Sequence, residues 1–165
     1  MSKATLATEF ERAEDSPGFL LWQLSNKWQA RQRAALKPYG LTHVQFVLLA
    51  TLTFAVGKRT FTQKQLADYA RTDVMMTSQV VRKLEQRGLL WRQLSKLDAR
   101  AFTVNPTPRG IELANQAVTA VEAVDHDFFA LVGNELPNLL GMMRKLLTCS
   151  PNFVVSATEP TGHPD

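Results

Sequence analysis

The fold of this 165-residue chain is decided by residues 62–109, TQKQLADYARTDVMMTSQVVRKLEQRGLLWRQLSKLDARAFTVNPTPR. Their pattern predicts a short helix, a tight turn, a second helix over 74–87 and then two strands, 89–94 and 101–104, around a loop at 95–100. A helix, a turn and a helix followed by a hairpin is the order of a winged helix-turn-helix. In that fold the second helix enters the major groove of DNA, and the hairpin, or wing, reaches the adjacent minor groove.

Signals on both sides of this stretch predict further helices. Thr42 with Gln45, and Thr62 with Gln65, are capping boxes, in which each side chain satisfies a backbone donor at a helix start. We predict a mainly α chain with a small β-hairpin (α+β). Its parts are a flexible N-terminus at 1–16, a dimerisation helix at 17–40, the winged helix-turn-helix at 41–106, C-terminal dimerisation helices at 107–149 and a flexible tail at 150–165.

The basic residues concentrate in the winged segment. Residues 58–109 carry eleven Lys and Arg against four Asp and Glu, a net charge of +7, whereas residues 110–165 carry a net charge of −5. Lys and Arg that neutralise phosphates supply most of the non-specific affinity for DNA. Charge alone also fits a solvated basic face, and its coincidence with the fold pattern favours double-stranded DNA as the partner.

Composition argues against several other classes of protein. No apolar run approaches the length of a membrane span, and the polar, acidic start of the chain does not resemble a signal peptide. The single Cys149 rules out an internal disulfide framework and fits a cytoplasmic protein. The sequence shows no nucleophile paired with a base, no phosphate-binding loop and no Cys/His cluster with metal-ligand spacing. We therefore predict that the chain is not an enzyme and binds no metal, cofactor or membrane.

The terminal helices are more apolar than a winged domain of about 50 residues needs as cover. Leu21, Leu24, Trp28 and Ala35 form one stripe at helical spacing in the first helix, and the last two helices carry similar stripes. We therefore predict a symmetric homodimer built from these helices. The alternative is a monomer whose terminal helices fold back on the core.

Five short fragments occur in an order and at spacings that match a known family. They are Leu41-Thr42-x-x-Gln45-Phe46, Thr62-Gln63-Lys64-Gln65-Leu66-Ala67, Val81-x-x-Leu84-Glu85-x-Arg87-Gly88-Leu89, Asp98-x-Arg100 and Thr107-Pro108-x-Gly110. Over about residues 17–148 the chain thereby resembles the MarR family of transcriptional regulators. The resemblance implies a dimeric winged-helix protein, commonly a repressor, that phenolic or other small ligands or thiol oxidation release from DNA. Thiol sensing is in doubt here, because the family's peroxide sensors carry a cysteine early in the first helix and no cysteine precedes Cys149.

The wing carries the residue that we place first at the DNA. In the family the arginine matching Arg100 enters the minor groove, where narrow A·T-rich tracts concentrate negative potential. Asp98 is expected to hold an arginine in place, since phosphates repel a carboxylate. Lys96 stands where relatives often carry proline or an acidic residue, so we expect a wing tip of different shape or charge. The alternative is an arginine at position 100 that only pairs with Asp98.

Side chains on the second helix that project away from its buried stripe are candidates for DNA contact. Gln79 suits adenine, and Met75 or Met76 can pack on a thymine methyl group. Arg82 and Lys83 suit phosphates, which position the helix without reading sequence. The alternative for either methionine is a place in the core. The remaining candidates start the preceding helix, where exposed N–H groups bind phosphate: Thr62, Gln63 and Lys64.

An effector site is implied by the resemblance, since effectors in the family often lie between the dimer helices and the winged domain. Four residues are candidates to line such a crevice for a small aromatic or other ligand: Trp22, Trp28, His43 and Phe46. Ordinary packing in the core or at the interface is the alternative for each of them.

These patterns predict a sequence-specific DNA-binding transcriptional regulator. We expect a repressor that binds a pseudo-palindromic operator as a homodimer, with release by a small-molecule effector implied by the resemblance. The alternative function is a winged-helix protein-interaction module that does not bind DNA, and the charge of residues 58–109 argues against it.

Overall fold

The computed structural model describes residues 6–95 and 101–148. They form six α-helices and three β-strands. The bounds are Pro17–Leu36 (α1), His43–Ala55 (α2), Phe61–Thr62 (β1), Gln63–Ala70 (α3), Val74–Gln86 (α4), Leu90–Leu94 (β2), Phe102–Pro106 (β3), Pro108–Phe129 (α5) and Leu136–Thr148 (α6). The mainly helical class with a small sheet is confirmed, and within the described ranges no helix combines the length and apolarity that a membrane crossing requires.

The chain divides into two compact units. The first ends at Phe128 and the second begins at Phe129. The first unit therefore contains α5 up to Phe128 together with the winged segment. The grouping of residues 107–149 as dimerisation helices stays a prediction. Of the predicted flexible ends, the described part of 1–16 includes a short 3-10 turn, Ala13–Asp15, and the tail at 150–165 lies outside the described residues.

Local capping chemistry sets the helix starts, as the sequence predicted. The Thr42 hydroxyl accepts a hydrogen bond from the Gln45 backbone N–H at 3.3 Å, and the Gln45 side chain accepts one from the Thr42 N–H at 3.0 Å. Thr62 and Gln65 make the same reciprocal pair at 3.2 and 2.9 Å. Each pair satisfies two donors that the first helical turn cannot.

The sheet contains the predicted hairpin and one additional strand. The antiparallel strands β2 and β3 pair with Trp91 opposite Asn105 and Arg92 opposite Val104. On its other side β3 pairs with the two-residue strand β1, so that Val104 also lies opposite Phe61. Sequence alone predicts only a short extended segment at Thr60-Phe61. Two residues carry no period of their own, and the pairing with β3 makes Phe61–Thr62 a strand.

The turn between α3 and α4 is held by three short polar contacts. The Asp73 carboxylate accepts the Met76 backbone N–H at 2.8 Å, which identifies Asp73 as the N-cap of α4. The fully buried hydroxyl of Thr77 donates to the Asp73 carbonyl at 2.8 Å and lies 2.8 Å from the Thr72 hydroxyl. Sequence alone allows either Thr72 or Asp73 as this cap. The observed contacts select Asp73 and fix the direction in which α4 leaves the turn.

The core forms around α2, on which one face is buried from end to end. The sequence of this helix is apolar almost all round and predicts a buried central helix. This is confirmed, since Phe46, Leu49 and Leu52 are buried and only Phe54 among its 13 residues is exposed, at 72%. On α4 the helical period predicts that Thr77, Val80, Val81 and Leu84 face inward, and all four are buried.

The apolar stripe predicted along α1 is only partly buried within one chain. Leu21 and Leu24 are exposed, whereas Gln32 and Leu36 are completely buried. The face of α1 that packs on α2 and α5 therefore lies in its C-terminal half. The N-terminal half presents large apolar side chains to solvent.

Candidate nucleic-acid interface

The exposed face of α4 carries the predicted DNA-contacting side chains. Met75, Gln79 and Arg82 follow one another at helical spacing, with Lys83 beside them, and all are exposed. This face lies opposite the buried stripe, because residues three and four apart share a side of a helix. The structure therefore brings these residues together on one side, and Gln86, one turn beyond Arg82, extends the same row. Gln86 is not among the residues predicted from sequence, although its four-residue spacing from Arg82 places it on this face.

Neither methionine of α4 fills the core. Met75 is 71% exposed and Met76 is 40% exposed in the first turn and a half of the helix. Large apolar side chains at the start of a helix that also presents a glutamine and two cations suit contact with the methyl groups and edges of bases. The alternative that one of them is core filler is wrong.

The start of α3 combines a structural role with available donors. The Thr62 hydroxyl is committed to the capping box, and Lys64 is exposed. Gln63 is only half-buried, but its Nε2 is enclosed without a hydrogen-bond partner among the described residues. The backbone N–H groups of the first helical turn point along the helix axis and favour an anion. Of the three predicted residues only Lys64 carries a charge, and that charge is exposed.

Several cations of the basic segment are engaged within the protein. Arg87 donates to the Gly40 carbonyl at 2.9 Å, and Arg109 donates to the Arg87 carbonyl at 3.3 Å. Lys58 lies 3.8 Å from the centre of the Phe54 ring. The net charge of residues 58–109 therefore overstates the number of cations that are available to a ligand. Within the described ranges, exposed cations without such contacts include Lys64, Arg82 and Lys83.

An ion pair connects α4 to the wing. Both Nη2 and Nε of Arg92 on β2 contact the same Glu85 carboxylate oxygen, at 2.6 and 2.8 Å. Both side chains are about one-third exposed. This pair removes an acidic group from the solvent face of α4 and ties the root of the wing to the end of that helix. The predicted wing residues Lys96, Asp98 and Arg100 lie outside the described residues.

Comparison with known proteins identifies the family. The family model for the MarR family matches residues 41–102. The uncharacterized HTH-type transcriptional regulator YdcH of Bacillus subtilis is 39% identical over 141 residues, which are 85% of this chain and 95% of YdcH. The chain belongs to the MarR family. The predicted winged helix-turn-helix transcriptional regulator is therefore confirmed.

Two other proteins resemble this MarR-family regulator over most of its length. The HTH-type transcriptional repressor Rv2887 of Mycobacterium tuberculosis is 34% identical over 114 residues, which are 68% of this chain and 80% of that protein. The crystal structure of the MepR–DNA complex of S. aureus superposes with a TM-score of 0.72 at 19% identity, over 80% of this chain and 96% of MepR. At that identity the likeness shows the fold.

Of the four predicted effector residues, the structure brings Trp28 and His43 into contact. Their rings meet edge to face with centroids 4.9 Å apart. The Trp28 indole donates to the Asp125 carboxylate at 2.7 Å, and the amide of Gln32 donates to the same oxygen at 2.8 Å. A polar cluster therefore links α1, α2 and α5 of this MarR-family regulator.

The other two candidates lie elsewhere. Phe46 is buried in the core. Trp22 is 63% exposed and stacks on Phe19, with ring centroids 6.1 Å apart. Trp22 and Trp28 are six positions apart on the helix, which is about 9 Å along the axis. The effector role of all four residues stays a prediction.

His43 gives the MarR-family regulator an expected dependence of stability on pH. Burial lowers the pKa of His43 below its usual 6.5; the carboxylate of Asp125 opposes this effect, and Arg33 adds to it. Because the folded pKa is the lower one, stability is fully present above pH 6.5 and declines as the pH falls from there towards the folded pKa. The drop in urea midpoint between about pH 8 and about pH 5.5 should be smaller in His43→Gln than in the unaltered protein.

His126 supplies the matched control for that measurement, because it is exposed on α5. His126→Gln should keep the full decline in urea midpoint. Equal declines in the unaltered protein and His43→Gln would contradict the account, as would equal relief in the two variants.

Proposed function

We propose that this MarR-family regulator is a repressor that binds a pseudo-palindromic operator as a homodimer in the cytoplasm, and that a small aromatic or other effector releases it. The Mycobacterium tuberculosis relative bears the name of a repressor, and a protein of the same fold has been solved with DNA. The regulator acts by binding alone, without a catalytic step, metal, cofactor or membrane. Residues 41–106 bind DNA, and residues 17–40 and 107–149 form the dimer.

The exposed face of α4 is the observation that carries the proposal. Gln79, Arg82 and Lys83 stand there without a hydrogen-bond or ion-pair partner in the described part of the chain. A glutamine flanked by two free cations combines a base-reading group with phosphate ligands. The Arg92–Glu85 pair keeps the adjacent wing in a fixed relation to this helix.

Exposed apolar surface on two helices supports the homodimer. The N-terminal half of α1 exposes five large apolar residues within six positions: Phe19, Leu20, Leu21, Trp22 and Leu24. Separately, α6 has no buried residue in its 13 positions, although Leu140, Met142 and Leu146 are among its side chains. Monomers rarely expose apolar patches of this density. A symmetric homodimer, in which a second copy covers these patches, is the simplest way to bury them.

A charge placed on the exposed half of α1 should separate the subunits. Leu21→Glu is expected to convert the dimer to a monomer at micromolar concentration, because a carboxylate buried in an apolar interface loses its hydration. Light scattering after size exclusion would measure the mass. Leu6→Glu alters another exposed leucine, one that precedes α1, and should remain dimeric. A monomeric unaltered protein, or an unchanged mass for Leu21→Glu, would refute this interface.

The wing arginine supplies the test of groove contact. Arg100→Ala should weaken operator binding at least about tenfold in a gel-shift titration, because an arginine in a narrow minor groove contacts the strongest negative potential of the duplex. Lys58→Ala is the matched control, since it removes one charge from the same basic segment at a residue packed on Phe54. Unchanged affinity for Arg100→Ala would remove Arg100 from the interface.

A further inference from the structure

Two large apolar side chains lie side by side near the outer end of the described part of the wing. Leu94 on β2 is 59% exposed and lies opposite Phe102 on β3, which is 47% exposed. The backbone N–H of Ser95 donates to the Ala101 carbonyl at 2.8 Å, so the next pair along the ladder is a hydrogen-bonded one. Leu94 and Phe102 therefore form a non-hydrogen-bonded pair, in which facing side chains come closest. We call these two residues the wing patch.

The wing patch lies on the face of the hairpin that turns towards α4. Side chains alternate between the two faces of a strand, so Leu94 shares its face with Arg92, and Phe102 shares it with Val104. Arg92 is ion-paired to Glu85 of α4, and its guanidinium carbon lies 5.9 Å from the centre of the Phe102 ring. Leu94 is two residues beyond Arg92, which places the patch about 7 Å further out along the strand.

The ion pair makes the wing patch continuous with the cationic face of α4. Arg82 is exposed and lies three positions before Glu85, so the two residues share a side of the helix. From α4 outwards the surface therefore presents an exposed cation, then the ion pair and then the two apolar side chains. A DNA strand offers partners for both ends, because its phosphates attract the cation and its deoxyribose rings present C–H groups. A second copy of the chain would instead bring its own cations towards those of α4, and like charges repel.

We propose that Leu94 and Phe102 pack on deoxyribose rings at the edge of the minor groove that the wing enters. The minor groove is about 6 Å wide, so the stem of a two-stranded hairpin stays at its edge while the tip reaches inside. The C–H groups of deoxyribose are the apolar part of the DNA backbone, and packing on them adds affinity that requires neither charge nor a particular base. This inference rests on the proposed operator binding and adds an uncharged backbone contact to it.

Replacing both residues by threonine tests the proposal, since threonine keeps the strand propensity and removes most of the apolar surface. With a fluorescent duplex from the protein's own promoter region, Leu94→Thr/Phe102→Thr should bind at least about tenfold more weakly at every salt concentration. The slope of log K against log salt should change by less than about 0.5, because an uncharged contact releases no counterions. A patch that only supported a cationic wing tip would instead make the slope shallower by about 1.8, at about 0.9 for each of two copies.

Leu6→Thr/Phe54→Thr is the matched control, because it alters the same residue types at positions that are 87% and 72% exposed outside the wing. It should keep full affinity, and Leu94→Ile/Phe102→Leu, which stays apolar, should bind within about threefold of the unaltered protein. Equal affinity of the two threonine variants, or a slope shallower by about 1.8 in the wing variant, would overturn the proposal. So would a changed mass of the wing variant without DNA, which would assign the patch to contact between copies. Failure of the unaltered protein to bind the duplex would refute the operator binding itself, and this inference with it.

Discussion

Replacing Arg82 and Lys83 together by alanine is expected to weaken operator binding at least about 100-fold, because a homodimer would lose four phosphate contacts at once. Each lost contact should also lower the dependence of log K on log salt by about 0.9, so the slope should become shallower by about 3 to 4. Both residues are exposed on the face of α4 opposite its buried stripe, so the fold should be unaffected.

The chain offers a close control for this variant. Arg144 and Lys145 form the same pair of residue types on α6, and both are exposed. Their joint replacement by alanine changes the net charge equally but leaves α4 intact. Because α6 belongs to the proposed dimer, light scattering first verifies that this variant stays dimeric, and its affinity should then fall less than about threefold through long-range electrostatics alone. Equal losses in the two double variants would show that α4 acts only as part of a diffuse positive charge.

Replacing Gly110 by alanine is expected to cost about 3 kcal/mol or more of stability, since overpacking against rigid backbone cannot relax cheaply. A Cβ at this position would lie 2.1 Å from the Leu89 carbonyl oxygen and 3.3 Å from a methyl group of Leu49. The same carbonyl accepts a hydrogen bond from the Thr107 N–H at 3.0 Å. The Thr107 hydroxyl in turn accepts the Gly110 N–H at 3.0 Å. The start of α5 therefore cannot move away without losing these bonds.

Gly18 provides the contrast. It lies in the first turn of α1, and a Cβ there would meet nothing within 4 Å. Gly18→Ala should leave stability unchanged or raise it by up to about 1 kcal/mol.

The midpoint of thermal unfolding should fall by roughly 6 to 12 °C in Gly110→Ala, at about 2 to 4 °C per kcal/mol for a chain of this size. Similar midpoints for the two variants would refute the close approach of α5 to the turn after α4.

Local signals explain why much of the fold was predictable from sequence. The capping pairs of Thr42 and Thr62 act within three residues, so their meaning does not depend on the rest of the chain. The inward face of α4 follows from helical period alone, as the burial of Val81 and Leu84 confirms. The order and spacing of the five family fragments along the chain added information that no single fragment carries.

Contacts between distant residues explain what sequence could not supply. The acceptor of the Trp28 indole lies 97 residues away on α5, and no period or motif connects that tryptophan to Asp125. The apolar stripe on α1 was visible in the sequence. Which half of that helix packs within the chain depends on the position of α5.

Equilibrium binding of the unaltered protein to duplex DNA from its own promoter region, measured by fluorescence anisotropy across a salt series, tests the central claim most directly. We predict saturable binding in which log K falls with the logarithm of the salt concentration. The slope should be about −4 or steeper, from the cations of two copies. Absence of binding even at about 50 mM salt, or an affinity that does not change with salt, would contradict the account of a basic recognition helix seated on phosphates.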